Sequence, residues 1–393
     1  MLHVTGGLEP TLGGPAVGIL NLVAAAARQG IDSHIVAVID DPDSPLADQL
    51  RERGASENYH VTLVKRTGHF EGRASRWGIS IPLARWLARH ASNYDIIVTH
   101  GAWMFSSLSA LIFARLHGTA CVLVPHESLT EFDVHKKGSS TRVVAKQLLK
   151  RIYLRYCDLI IAGSNVEAAE SMRAGAKAQY LVMWYPLVDD HHPPRPRRRW
   201  SSMPTFTIGY LGRIDPKKNI DVLLRALALL PQSFSLVVGG DGPEKLKRTL
   251  TSLASELGIE KRIVWRGFVN AAGKDEFFDS IDVLAMPSQF ESFGIVAVES
   301  MMRGVPVILS PTTGVAELVD KHGGGLVIPP TPESLARVFE GLSQNPVAME
   351  AMSSQGIWVT NEYLSFTRAG SQLRDKYIEL VNEVRPQAFA RSP

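Results

Sequence analysis

Residues 287–308 read PSQFESFGIVAVESMMRGVPVI, in which a strand end, a loop and a helical pattern follow one another. Its Pro-Ser pair ends an apolar strand pattern, and its Phe-Gly pair stands where a helical pattern begins. Glu291 and Glu299 lie eight positions apart, the second inside an apolar helix where an unpaired carboxylate is costly. Sugar or ribose hydroxyls are suitable partners, because carboxylate oxygens accept hydrogen bonds. The alternative is that Glu291 is solvated and that a neighbouring base pairs with Glu299.

Composition limits the classes of protein to consider. The chain has 393 residues, which exceeds the usual size of one hydrophobic core and predicts two domains. Its net charge of +3 is too small to argue for a nucleic-acid partner. Cys121 and Cys157 predict reduced thiols in a cytoplasmic protein rather than a disulfide framework. No apolar run approaches the ~20 residues of a membrane span, and we expect no signal peptide.

Short apolar runs alternate with helical patterns along the chain, which predicts an α/β fold with doubly wound parallel sheets. The first domain is predicted over 1–188 and the second over 205–364, joined by the Pro-rich and basic linker 186–204. The amphipathic pattern from Ser365 to Val384 predicts a helix that packs back on the first domain. The predicted strands are Leu2–Thr5, His34–Ile39, Tyr59–Val64, Asp95–Thr99, Ala120–Pro125, Leu159–Gly163, Tyr180–Trp184, Thr205–Leu211, Ser235–Gly239, Ile263–Gly267, Val283–Met286, Pro306–Leu309 and Gly325–Ile328.

The loops that follow these strands are the places to look for ligand contacts, because doubly wound sheets bind ligands beyond the carboxyl ends of their strands. Arg213 and Lys218 lie in one such loop, and two cations there suit a diphosphate. A solvated basic turn is the alternative. Gly13 and Gly14 follow the first strand and allow close backbone approach to a ligand, although a plain strand-to-helix turn would look the same.

Several motifs together resemble one known family. The match covers nearly the whole chain, and its most specific part is the E-x7-E segment in its P-S-x-x-E-S-F-G setting. The chain is similar to the retaining nucleotide-sugar glycosyltransferases of family 4, whose GT-B fold has two Rossmann-like domains facing a central cleft. The motifs that carry the resemblance are Gly212-Arg213 with Lys218, Gly267-Phe268-Val269, Val124-Pro125-His126-Glu127, Glu291-Ser-Phe-Gly, Glu299 and Gly304-Val-Pro-Val.

The resemblance implies a role for each matched residue. Arg213 and Lys218 would hold the donor diphosphate, while Glu299 would bind the ribose and Glu291 the donor sugar. His126 would face the transferred sugar; a hydrogen-bonded structural histidine is the alternative. The further donor contacts that the resemblance implies are at Gly13, Gly14, Gly212, Phe268, Val269, Phe293, Gly294, Ile295 and Val296.

The activity that the resemblance implies is retaining transfer of a hexose from a nucleotide-diphosphate sugar. The acceptor would be a glycan or a lipid-linked saccharide, in cell-surface polysaccharide biosynthesis. No metal and no cofactor besides the co-substrate are expected, and the sequence has no His/Cys/Asp cluster with ligand spacing. A non-hydrolysing sugar-nucleotide epimerase and a non-catalytic nucleotide-sugar-binding protein are the alternatives. The E-x7-E context favours the transferase over the epimerase. Intact Arg213, Lys218 and both glutamates argue against the non-catalytic protein.

The segment 135–156, HKKGSSTRVVAKQLLKRIYLRY, carries seven Lys and Arg residues and no Asp or Glu. Its apolar residues recur at helical spacing, so it predicts a basic amphipathic helix. Such a helix would bind an anionic membrane reversibly, on the inner face of the plasma membrane. The alternative is that its apolar residues face the core and its cations face water.

Overall fold

The computed structural model describes residues 1–9, 14–67, 78–135, 140–172, 178–189 and 205–384. The chain divides into two compact units. Unit 1 comprises Met1–Pro186 with Ser365–Pro393, and unit 2 comprises Leu187–Leu364. The division falls at the start of the predicted linker 186–204, most of which lies outside the described residues.

Unit 1 is built on a seven-stranded parallel sheet. Its strands are β1 (Leu2–Thr5), β2 (His34–Ile39), β3 (His60–Lys65), β4 (Ile96–His100), β5 (Ala120–Val124), β6 (Leu159–Ala162) and β7 (Gln179–Val182). Its helices are α1 (Gly14–Arg28), α2 (Pro45–Ser56), α3 (Ile81–His90), α4 (Phe105–His117), α5 (Glu131–Val134), α6 (Ser140–Tyr156), α7 (Asn165–Met172) and α15 (Phe366–Val384). The strand order is β3-β2-β1-β4-β5-β6-β7, so the direction of winding reverses between β1 and β4.

The central strands of unit 1 are buried on both faces. Every residue of β4 and of β5 is buried, because helices cover both sides of a doubly wound parallel sheet. This explains why the strands read as continuous apolar runs in the sequence.

The C-terminal helix α15 packs against α1 within unit 1. A Cβ atom added at Gly370 would lie 2.4 Å from the carbonyl oxygen of Ala25, so the two helix backbones are in close contact. The guanidinium of Arg28 lies 4.5 Å from the centre of the Phe366 ring. The end of the chain therefore belongs to the same unit as its beginning.

Unit 2 repeats this architecture with six parallel strands. The strands are β8 (Phe206–Leu211), β9 (Phe234–Gly239), β10 (Ile263–Gly267), β11 (Val283–Met286), β12 (Val307–Leu309) and β13 (Gly325–Val327). The helices are α8 (Ile220–Ala228), α9 (Glu244–Glu256), α10 (Lys274–Asp279), α11 (Ile295–Met302), α12 (Ala316–His322), α13 (Pro332–Ser343) and α14 (Pro346–Tyr363). The order β10-β9-β8-β11-β12-β13 reverses between β8 and β11.

The predicted fold class is confirmed, since both units are parallel-sheet α/β structures. Each predicted strand is present, with bounds that differ by no more than two residues. Among the helices of the described ranges, none combines the length and the apolar character that a bilayer span requires.

Helix α6 corrects the prediction for the basic segment 135–156. Lys146 donates to the carboxylate of Asp133 at 2.6 Å, and Lys150 is fully buried and donates to Glu131 at 2.9 Å. Of the seven cations in the segment, these two are therefore paired with acidic residues of α5. The described side chains that do form an exposed stripe on α6 are Val144, Leu148, Arg151 and Arg155.

Candidate active site

The carboxyl edge of unit 2 brings together the loops that follow β8 and β11. These strands are neighbours at the reversal of the strand order, although they lie far apart in the sequence. The backbone carbonyl of Lys217 accepts a hydrogen bond from the Gln289 amide at 2.7 Å. The side-chain amide of Asn219 donates to the carbonyl of Pro287 at 2.9 Å. The two predicted ligand loops are thus held side by side at the position where doubly wound sheets bind ligands.

Lys218 and Glu291 form an ion pair across these two loops. The backbone of Glu291 is also fixed, because its amide donates to Thr312 at 3.1 Å and its carbonyl accepts from Gly314 at 2.8 Å. Both partners of these bonds lie in the loop after β12, which sequence reasoning did not single out. Glu291 is therefore an anchored residue, and not the solvated one of the alternative reading. One ammonium group leaves acceptor sites on its carboxylate, which has about four.

Arg213 lies in the same loop as Lys218 but in a different environment. Its side chain is exposed and forms no ion pair with any residue that the structure describes. Its backbone is held by the buried Tyr210, whose hydroxyl donates to the Arg213 carbonyl at 2.8 Å. Burial raises the pKa of Tyr210, so its hydroxyl remains a donor. An exposed guanidinium on a fixed backbone is available to an anionic ligand.

Two glycines of the predicted set have a steric reason. Gly294 precedes α11 with φ 99°, and a Cβ atom there would lie 2.9 Å from a methyl carbon of Thr313. Gly212 has φ 153°, which residues with a side chain rarely adopt, and a Cβ atom there would lie 3.2 Å from the hydroxyl of Tyr210. The backbone of Phe293 is tied to Val315 by a 2.8 Å bond.

The first turn of α11 begins at this edge with the half-buried Ile295 and Val296. The first amides of a helix have no intrahelical partner and carry a partial positive charge. The start of α11 therefore suits an anionic ligand group.

Glu299 lies on α11 and is bound by a residue that sequence reasoning missed. The ammonium of Lys274 contacts both carboxylate oxygens of Glu299, at 2.5 and 2.7 Å. Arg303 ties the same helix to α10, since it donates to the Glu299 carbonyl and to Asp275, each at 2.9 Å. Lys274 is thus the neighbouring base that pairs with Glu299. The remaining lone pairs of the Glu299 carboxylate are open to hydroxyl donors. Lys274 carries no motif signal, because its partner lies 25 positions away.

The segment Gly267–Val269 lies at the carboxyl end of β10. The carbonyl of Gly267 accepts a 2.6 Å hydrogen bond from the amide of Gly240, which follows β9. Phe268 has 74% of its surface exposed, whereas Val269 is half-buried. A protruding ring at a ligand-binding edge has a face available for stacking.

In unit 1, Gly14 is the first residue of α1 and follows β1, a strand at the reversal of the strand order. Gly13 lies outside the described residues. Within the described ranges, no group of three or more His, Cys, Asp or Glu side chains is placed to hold a metal ion.

His126 follows β5 and is half-buried, and it belongs to a relay of four rings whose other members are buried. Its Nε2 lies 3.1 Å from Nδ1 of His100, and its Nδ1 lies 2.9 Å from the hydroxyl of Tyr185. His100 in turn contacts His3, with 2.9 Å between Nε2 and Nδ1. Burial lowers the pKa of His126 to about 4 and that of His3 to about 3, so these rings are neutral at neutral pH. This is the geometry of the alternative reading, a hydrogen-bonded structural histidine.

A second buried group supports the same turn. Glu167 has no exposed surface, and its two carboxylate oxygens accept from the amides of Glu127 at 2.5 Å and Gly163 at 2.7 Å. Burial raises the pKa of Glu167 to about 7. No local pattern in the sequence indicates this role for Glu167, because its partners are backbone groups at the ends of β5 and β6.

Two doubly wound units with these strand-end motifs define a GT-B glycosyltransferase. The family model described as "Glycosyltransferase Family 4" matches residues 12–192, and that described as "Glycosyl transferases group 1" matches 197–357. The chain belongs to this group 1/family 4 class of glycosyltransferases, which confirms the resemblance seen in the sequence.

Individual relatives agree with this assignment. The chain is 32% identical to the D-inositol 3-phosphate glycosyltransferase of Mycolicibacterium smegmatis, over 93% of this chain and 88% of the relative. It is 28% identical to the protein of the same name from Rhodococcus jostii, over 87% and 79%. Among solved structures, Anabaena HepE in complex with UDP and glucose superposes with TM-score 0.73 at 19% identity, over 95% and 98%. Sucrose-phosphate synthase of Thermosynechococcus elongatus gives TM-score 0.75 at 18% identity, over 97% and 99%.

Proposed function

We propose that this glycosyltransferase moves a hexose from a nucleotide-diphosphate sugar to a glycan or lipid-linked saccharide with retention of configuration, in cell-surface polysaccharide biosynthesis. The observation that carries the proposal is the grouping of Arg213 and the Lys218–Glu291 pair beside the start of α11. It unites two cations, a carboxylate and a helix N-terminus at one edge of unit 2. The structures of HepE with UDP, with UDP and glucose, and with UDP-glucose support the choice of donor class.

In this proposal the cations act on the leaving group. Arg213 and Lys218 bind the diphosphate and stabilise the charge that it gains as its bond to the sugar breaks. The amides at Ile295 and Val296 add the partial positive charge of a helix N-terminus. Because Lys218 is buried and already oriented by Glu291, little reorganisation is needed when the charge develops.

The carboxylates bind hydroxyls of the donor. Glu291 accepts from the hexose, and Glu299, oriented by Lys274, accepts from the ribose. Phe268 and Val269 lie beside the base. In unit 2, the backbone at Gly212, Phe293 and Gly294 permits close approach to the diphosphate and sugar. In unit 1, Gly14 and the turn at His126 are the proposed donor contacts.

The transfer itself needs no nucleophile from the protein. The bond from the anomeric carbon to the phosphate oxygen breaks, and the acceptor oxygen forms its new bond on the same face. The departing phosphate oxygen takes the acceptor's proton, and the sugar passes through an oxocarbenium-like state. No metal ion and no further cofactor enter this scheme.

Two measurements test the function. A panel of nucleotide-diphosphate sugars is screened for thermal stabilisation, since a ligand that binds only the folded state raises Tm. The stabilising donor is then incubated with and without saccharide acceptors, and the new linkage is assigned by NMR. We expect acceptor-dependent transfer with retention. An inverted product contradicts the mechanism, acceptor-independent isomerisation indicates the epimerase, and binding without turnover indicates the non-catalytic protein.

We further propose that the protein attaches to an anionic membrane surface from the cytoplasmic side through α6. The exposed stripe Val144, Leu148, Arg151 and Arg155 follows i, i+4, i+7 and i+11, so apolar and cationic side chains share one face. Each cation near an anionic surface contributes about 1 kcal/mol.

Liposome sedimentation tests the membrane proposal. We expect binding to increase with anionic lipid content and to fall in the double variant Arg151→Gln/Arg155→Gln. The matched control is Lys245→Gln/Arg248→Gln, which removes two exposed cations from α9 in unit 2. Binding that ignores anionic lipid, or that both double variants weaken equally, contradicts the proposal.

A further inference from the structure

The turn that follows β5 has an unusual backbone. The amide of Ser128 donates to the carbonyl of Pro125 at 3.0 Å, which closes a four-residue turn around His126 and Glu127. The φ angles of these central residues are 47° and 78°. Two positive φ values are typical of a type I′ turn, whose preferred central residues are Asn and Gly because other side chains are strained there. In this chain the two strained positions are occupied by a histidine and a glutamate.

Buried groups hold this turn in place. The carboxylate of Glu167 accepts from the Glu127 amide, and the hydroxyl of Thr130 donates to the Glu127 carbonyl at 2.7 Å. His100 and Tyr185 hold the two ring nitrogens of His126. The backbone of Glu127 is therefore fixed on both its amide and its carbonyl side.

The ring of His126 has no hydrogen-bonding capacity left for a ligand. A neutral imidazole has one donor and one acceptor, and both face protein groups here. Tyr185 is closely packed, since a Cβ atom added at Gly163 would lie 2.6 Å from its ring. The ring of His126 thus supports the turn.

We propose that Glu127 is the specificity-determining side chain of this turn, and that its carboxylate binds hydroxyl groups of a sugar. This inference rests on the proposed glycosyl transfer. Glu127 is half-buried at the carboxyl end of β5, the edge at which doubly wound sheets bind ligands. A glycine would relieve the strain at φ 78°, and strained backbone that persists within a rigid support is characteristic of functional positions. A carboxylate accepts hydrogen bonds from vicinal hydroxyls.

The test compares the effect of each substitution on stability with its effect on activity. Glu127→Gly removes the carboxylate and the strain together, so we expect Tm to stay level or rise while kcat/KM falls about tenfold to a hundredfold, the usual effect of losing hydrogen bonds to a charged group. Glu127→Gln keeps the shape and should lower kcat/KM in the same direction. The matched control is Asn58→Gly, which relieves a φ of 59° near the start of β3 and should leave kcat/KM unchanged.

Each outcome either supports or contradicts the proposed role of Glu127. A rise in KM for the nucleotide sugar identifies the bound hydroxyls as those of the donor, and a rise in KM for the acceptor identifies them as the acceptor's; either supports the proposal. If both Glu127 variants keep kcat/KM within twofold of wild type while Arg213→Ala loses activity, the inference alone fails. A fall in Tm for Glu127→Gly with full activity of Glu127→Gln makes the residue structural. If the wild type transfers no sugar from any donor, the proposed function fails and the inference with it.

Discussion

Replacing Lys218 by methionine should reduce both stability and catalysis, whereas replacing Arg213 by alanine should reduce catalysis alone. The two cations are expected to act on the same leaving group, so their activity losses should be similar. Their environments differ, because the side chains of Lys218 and Glu291 are only 10% and 19% exposed, while Arg213 is exposed. Comparing the two variants therefore separates the contribution of the site to protein stability from its contribution to catalysis.

The stability change follows from the degree of burial. Exposed ion pairs contribute about 0–1 kcal/mol, and breaking a fully buried pair costs about 3–5 kcal/mol. The Lys218–Glu291 pair lies between these limits, so Lys218→Met should cost about 2 kcal/mol, or roughly 4–8 °C in Tm for a unit of this size. Arg213→Ala should change stability by less than about 0.5 kcal/mol. Each variant should lose about 10²–10³-fold in kcat/KM, the usual effect of removing one charge-stabilising group.

Urea unfolding and steady-state transfer rates measure both quantities on the same preparations. In the Lys218→Met background, Glu291→Gln should recover stability without recovering activity, because it removes the unpaired carboxylate. The control is Lys247→Met, which removes a half-exposed lysine paired with the exposed carboxylates of Asp241 at 2.9 Å and Glu244 at 3.0 Å, and it should change neither quantity. Wild-type stability of Lys218→Met would show that the pair contributes nothing to the fold. Near-normal rates of Arg213→Ala would show that its loop is a solvated basic turn.

Three further predictions concern separate parts of the molecule. Lys274→Met should weaken binding of the nucleotide sugar identified by the thermal screen about tenfold in calorimetry, with little change in kcat, because Glu299 loses its orienting partner. Unchanged affinity contradicts this role. Burial lowers the pKa of His3 from 6.5 to about 3, so the folded state loses stability as pH falls below 6.5. The His3→Gln variant should reduce the dependence of the unfolding free energy on pH in this range by about 1.4 kcal/mol per pH unit, as measured by urea titrations. Gly370→Ala should destabilise unit 1 by about 1–3 kcal/mol through its clash with a carbonyl of α1, whereas Gly341→Ala, with open space around it, should not destabilise unit 2.

The sequence by itself determined the architecture of both units. Strands buried on both faces must be apolar along their whole length, so β4 or β11 can be read from a short window of residues. The same local information singled out Arg213 and Glu291 as candidates, because they are charged residues in strand-end loops beside apolar runs. Glu299 was singled out as a carboxylate within an apolar helical pattern. Family membership could also be inferred from these local motifs.

The pairing of these groups depends on the tertiary structure. Lys218 and Glu291 are 73 positions apart, and His3 and His100 are 97 apart. Both pairs are neighbours because the strand order places β8 beside β11 and β1 beside β4. Local patterns specify that a strand exists but not which strand lies next to it, since that choice depends on the packing of helices over the whole sheet. The burial of Lys150 and the strained turn at Glu127 depend on that packing in the same way.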